Sequence, residues 1–213
     1  MKYVCFFWLF IVKIGYSQDK SIKIIDSLYR EDQFYFNFTY NTLINKSDVL
    51  SIKDIAFGFN AGFLRDFPVN KSRTWALAPG FGVGTSLGNN ILINNLEFNN
   101  FFKFSYFNFD IPLEIRWRDS NPTKQDFLRI HGGFKLSYLY FYALENIESN
   151  HLNRVQYGPY FSIGYGTWNF YVYYGLTPVF SNQFLSNEIL SKDYNLQALA
   201  LRNIQAGFKF YFL

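Results

Sequence analysis

The stretch Phe107-Asn108-Phe109-Asp110-Ile111-Pro112-Leu113-Glu114-Ile115-Arg116-Trp117-Arg118 alternates residue by residue. Phe107, Phe109, Ile111, Leu113, Ile115 and Trp117 fall on one face, and Asn108, Asp110, Glu114, Arg116 and Arg118 on the other. A period of two over that length is a β-strand with one wholly apolar and one charged face. A soluble sheet would bury the apolar face under a second layer. A strand of about ten residues with this pattern also fits the wall of a lipid-embedded barrel.

Composition favours the barrel. The chain has 27 Phe and 17 Tyr in 213 residues, an aromatic content of 23%, more than one soluble core requires. Mean hydropathy is nevertheless -0.06. No run of about eighteen apolar residues follows the N-terminal region, so ordinary transmembrane helices are not expected. Abundant aromatics, neutral hydropathy and alternation are what lipid-facing and lumen-facing positions require of a membrane barrel. A lipocalin-like barrel turns its apolar residues inward, and the apolar face of 107–117 beside charged positions does not fit it.

The chain starts with Met1-Lys2, an apolar stretch over 3–15 interrupted by Lys13, and the small residue Ser17 before Gln18. This reads as a secretory signal peptide over 1–17, cleaved after Ser17. A short periplasmic segment over 18–32 and a barrel over 33–213 are expected to follow. The one cysteine, Cys5, lies in the signal, so the mature chain is expected to have neither disulfide nor thiolate chemistry. The net charge of +4 is modest and its Lys and Arg are scattered, which gives no support for a nucleic-acid partner.

Eight strands are expected, at about 33–44, 54–66, 74–87, 102–118, 127–144, 156–166, 168–179 and 201–213. Ala56, Gly58 and Gly62 of the second strand face inward, as do Ala76, Ala78, Gly80, Gly82 and Gly84 of the third. A small barrel is filled by its own side chains, so small residues on some strands leave room for bulky ones on others. Long connections are expected after the first, third, fifth and seventh strands, including an Asn-rich loop over 88–101. Shorter turns are expected on the other rim, which places both termini in the periplasm. The sum is an all-β protein: an eight-stranded antiparallel transmembrane β-barrel of the outer membrane, preceded by a cleaved signal peptide.

Motifs for chemistry are sparse. No P-loop, dinucleotide motif or metal-ligand pair occurs, so no cofactor, metal or small-molecule substrate is expected. His151 sits in a polar loop. His131 faces inward with Arg129 and Lys135, and a Ser137–His131–Glu114 hydrolase has no supporting spacing or motif. The inward charges Asp110, Glu114, Arg116, Arg129, His131 and Lys135 read as a structural, salt-bridged plug. One register sets Glu114 opposite His131 and Asp110 opposite Lys135. A shift by two sets Glu114 opposite Arg129. Eight strands leave no continuous aqueous channel, so a porin role is not expected.

Certain segments are more specific. The run Gly62-Phe63-Leu64-Arg65-Asp66-Phe67-Pro68-Val69-Asn70 resembles the GF-x-RD-x-P-[IV]-N turn of the PorT-type outer-membrane barrels. Asp32-Gln33-Phe34-Tyr35, Ile111-Pro112-Leu113-Glu114-Ile115-Arg116-Trp117-Arg118 and Gly133-Phe134-Lys135-Leu136-Ser137-Tyr138 also resemble that family. The terminal alternation Gly207-Phe208-Lys209-Phe210-Tyr211-Phe212 is similar to the assembly signal of outer-membrane barrels. The resemblance implies a non-enzymatic component needed by the type IX secretion system, which also exports adhesins in gliding bacteria. It implies a periplasmic turn at Arg65, Asp66, Pro68 and Asn70, and partners among outer-membrane lipid and other secretion-system membrane proteins. Two rivals stand beside it: a surface barrel that binds an external ligand through its loops, and a lipid-A-modifying enzyme.

Overall fold

The computed structural model of the protein describes residues 32–44, 50–52, 56–94, 99–118, 128–145, 152–180 and 201–212. The expected signal peptide, most of the 18–32 segment, His151 and residues 181–200 lie outside the described residues. Ten strands form one antiparallel sheet. Eight of them are the staves: β1 (Gln33–Ile44), β2 (Ala56–Leu64), β3 (Trp75–Asn94), β4 (Asn99–Arg118), β5 (Leu128–Glu145), β6 (Val155–Tyr165), β7 (Trp168–Pro178) and β8 (Arg202–Phe212). The short strands Leu50–Ile52 and Phe67–Pro68 also pair with β3 and prolong the line of β2. Every stave pairs with its neighbours in sequence, and β8 pairs with β1, from Phe34 opposite Phe212 to Ile44 opposite Arg202. The sheet therefore closes on itself with no free edge, the condition for strands to cross lipid.

Alternation assigns the two surfaces as the sequence predicts. Phe34, Phe36, Phe38 and Tyr40 of β1 are exposed, while Tyr35, Asn37, Thr39 and Asn41 are buried. On β4, Ile111 is 61% exposed and Glu114 is 0% exposed. The exposed wall is aromatic and aliphatic, with lateral ring pairs such as Phe38–Phe59 at 5.0 Å and Phe109–Tyr140 at 4.7 Å between centroids. The interior is mostly polar, an inversion that suits lipid outside and a filled lumen within. The small residues serve as expected. Tyr35 lies against Gly62 and Gly82, and a Cβ at Gly62 would come 2.6 Å from the Tyr35 Oη.

The ends differ. One end carries the start of β1, the end of β8, the turn over 65–74 and the tight turn at Gly166-Thr167. We call it the turn end. The three described tryptophans, Trp75, Trp117 and Trp168, sit on its rim, where an interfacial aromatic belt belongs. At the opposite, loop end, the structure corrects the expected long loop over 88–101. β3 and β4 have 20 residues each and remain paired to Asn94 opposite Asn99. A membrane crossing takes about 9–11 residues, so these strands run on past it. The Asn-rich composition suggested a loop. The strand instead passes through a bulge between Ser86 and Asn89, where Gly88 has a φ of 83°. That conformation is open to glycine at little cost, and it bends the strand without ending it.

Candidate functional site: a bridged lumen and a locked turn

The inward charges of β4 lie at successive levels. Nearest the loop end, Asp110 accepts hydrogen bonds from Asn60 Nδ2 at 3.0 Å, Asn108 Nδ2 and Ser137 Oγ. Lys135 Nζ is 3.8 Å from the same carboxylate and donates to Gln205 Oε1 at 3.2 Å. One level down, Glu114 takes Arg116 Nε at 2.9 Å, Lys209 Nζ and the Tyr211 hydroxyl at 3.1 Å. His131 Nδ1 is 3.0 Å from the Tyr211 hydroxyl and 3.9 Å from Glu114. At the turn end, Asp66 pairs with Arg116 at 3.3 Å and Arg118 at 2.9 Å. Arg129 donates to the Gly166 carbonyl, and Arg118 Nε to the Arg73 carbonyl at 3.2 Å.

Several side-chain contacts cross the lumen between β4 and β8, the Tyr211–Glu114 hydrogen bond among them. β4 and β8 stand four staves apart in either direction around the barrel. Glu114–Lys209 and Tyr106–Asn203, the latter at 3.0 Å, therefore act as crossbars on a diameter. The Lys209 ammonium also lies over Tyr35, Tyr160 and Tyr211, at 4.5, 5.0 and 5.0 Å from their ring centroids. Buried charge is costly unless it is paired, and here a carboxylate and three ring faces replace the lost water. Beside the Tyr106–Asn203 crossbar lies a cavity of about 20 Å³, lined also by Lys135, Ser137 and Gln205. That is room for about one water. Leu152, Val179 and Phe180 are buried beyond it, with Leu152 bridged to Phe180.

The structure revises the expected cross-strand pairs. Glu114 faces Gly133, Lys135 faces Pro112, Arg116 faces His131 and Arg118 faces Arg129. Neither expected register occurs. Local alternation fixes which face a residue takes but not how two strands slide by steps of two. Ser137 bonds Asp110 rather than His131, so the considered Ser–His–acid line is not assembled. Among the described residues, no group of three or more His, Cys, Asp or Glu side chains is placed to hold a metal.

Sequence reasoning left Lys209, Asp66 and Arg118 out of this cluster, although it had placed Arg118 on the inward face. Lys209 was visible only as an inward residue of the last strand, since its partner lies across the barrel. Asp66 belongs to the expected turn, yet it is 0% exposed and points its charge inward. Its neighbours in that turn differ. Arg65 is exposed over the Phe67 ring, at 5.8 Å, and Pro68 lies in the short strand paired with β3. Asn70 organises the tip: its Oδ1 accepts from the Trp75 amide, and its Nδ2 reaches Ser72 and Thr74 at 2.7 and 2.8 Å. Arg73 has a φ of 56°, a left-handed conformation held within that network. The Asp66 amide donates to Asp32 Oδ1 at 3.0 Å, which ties the turn to the start of β1.

Residues 16–181 match the family model described as an outer membrane protein beta-barrel domain. No curated protein matches the chain.

Proposed function

The chain belongs to the outer membrane protein β-barrel domain family and resides in the outer membrane, and from that premise we propose that it is a non-enzymatic accessory or assembly component of the type IX secretion system. One observation carries this reading. The two segments that most resemble PorT-type barrels, Arg65-Asp66-Phe67-Pro68 and Arg116-Trp117-Arg118, are far apart in sequence but meet through the Asp66–Arg116 and Asp66–Arg118 ion pairs. They form one element at the turn end, where a periplasmic or membrane partner would find a rigid epitope. The crossbars argue in the same direction. A lumen bridged on its diameter favours a role exercised at the ends and outer wall over one in conduction. Partners would then be other membrane proteins of the secretion apparatus.

Deletion of the gene tests the reading. Proteins bearing the system's C-terminal export domain should fail to reach the medium, and gliding should fail in a gliding host. Normal secretion with lost adhesion would favour a ligand-binding surface barrel instead. Normal secretion with altered lipid A masses would favour a lipid-modifying enzyme. Orientation has its own check. Ser72→Cys should resist an impermeant thiol reagent in intact cells, while Asn94→Cys at the opposite end should react.

A further inference from the structure

The outer wall has a notch. Gly132 of β5 faces outward, and a Cβ built on it would meet nothing within 4 Å. Its row neighbours are Ile115 on one side and Phe161 on the other. Trp75, Trp117, Ile130 and Phe134 complete a groove of about 510 Å³, mostly apolar and open to the membrane. The strand backbone at its base is already paired on both sides, so it offers a partner no backbone ladder to join.

The groove runs down to a basic edge. Its Trp75–Trp117 rim adjoins the turn over 65–74, because the Thr74 carbonyl accepts from the Arg118 amide at 2.9 Å. The single acid of that turn, Asp66, is buried and paired inward. Arg65 and Lys71 are exposed, and Arg73 is partly so. An apolar slot, then two indoles at interface depth, then cations is the profile of an anionic amphiphile. A protein knob seated in the slot would use the apolar part and have no need of the cationic edge.

We infer that this groove seats one phospholipid with an anionic headgroup, its acyl chain against Gly132 and its phosphate at the Lys71 edge. The inference is independent of the secretion role, since it concerns the outer wall alone. A small residue that lets another molecule approach the backbone is a recurrent device of contact within membranes. Here the approaching body is a lipid tail.

The test uses the whole protein extracted from native membranes in mild detergent without delipidation. Native mass spectrometry should show one phospholipid per barrel, with phosphatidylglycerol retained over phosphatidylethanolamine. Gly132→Leu should abolish retention while the heat-modifiable mobility of the folded barrel is kept. Lys71→Glu should leave lipid binding but remove the preference for the anionic headgroup. Should Gly132→Leu not assemble, thermal unfolding of wild type decides: phosphatidylglycerol should raise the unfolding temperature saturably at one lipid per barrel, and phosphatidylcholine less. No retained lipid in wild type, equal retention by Gly132→Leu, or a second copy or another polypeptide as the bound mass would each overturn the proposal.

Discussion

Gly132 and Gly133 are consecutive residues of β5 with opposite surroundings. Gly133 faces the lumen, and a Cβ there would collide with the Tyr160 ring. Gly132 faces the membrane, and a Cβ there would touch nothing. The same residue type on the same strand is required on one face and leaves a vacancy on the other. Inside, little volume is left open and the buried carboxylates are paired with cations, since an eight-stranded lumen must be filled by its own side chains. Outside, lipid fills what the protein leaves open, so a gap costs little. The inner wall is thus expected to be intolerant and the outer wall tolerant, except to charge.

The strongest strain on that contrast is Glu114→Gln. Among the described residues, two buried carboxylates each serve two buried cations, Asp66 with Arg116 and Arg118, and Glu114 with Arg116 and Lys209. Removing one member of a buried pair costs about 3–5 kcal/mol. Here both Lys209 and Arg116 would lose a partner. The unfolding temperature in detergent should fall clearly, and any loss of secretion should follow the loss of folded protein. A fully folded, normally abundant variant that no longer supports secretion would mean that the lumen works and does not merely hold.

The outer wall has its own breaking point. Phe109→Arg places a cation in lipid, at a cost of about 2–4 kcal/mol near the bilayer midplane. Assembly yield, read as the heat-modifiable fraction, should drop, whereas Phe109→Leu should assemble normally. Equal yields for the two would show that this face is not in lipid.

The smallest test is the sharpest. Gly133→Ala forces a methyl group into the Tyr160 ring, an overpacking of about 1–3 kcal/mol. Gly132→Ala should stay within about 0.5 kcal/mol of wild type, as substitutions away from packed features do. Matching unfolding temperatures for the two variants would erase the distinction between the faces.

The sequence by itself determined the two faces of the strands and with them the class of protein. Alternation is local: each residue's side follows from its neighbours, whatever the rest of the chain does. It also placed Arg129, His131 and Lys135 inside together with Asp110, Glu114 and Arg116. Where it stopped short, the reason is distance. Closure of β1 on β8 put Lys209 across from Glu114, a partner no hairpin could indicate. The slide of β4 on β5 set Glu114 beside Gly133, because alternation is blind to shifts of two. The Asn-rich end of β3, over 88–94, stayed paired because a glycine bulge carried the ladder on, against the composition of the loop it resembled. Asp66 looked like a turn residue and became a lumen residue, since only the folded barrel brings Arg116 and Arg118 within reach of its carboxylate.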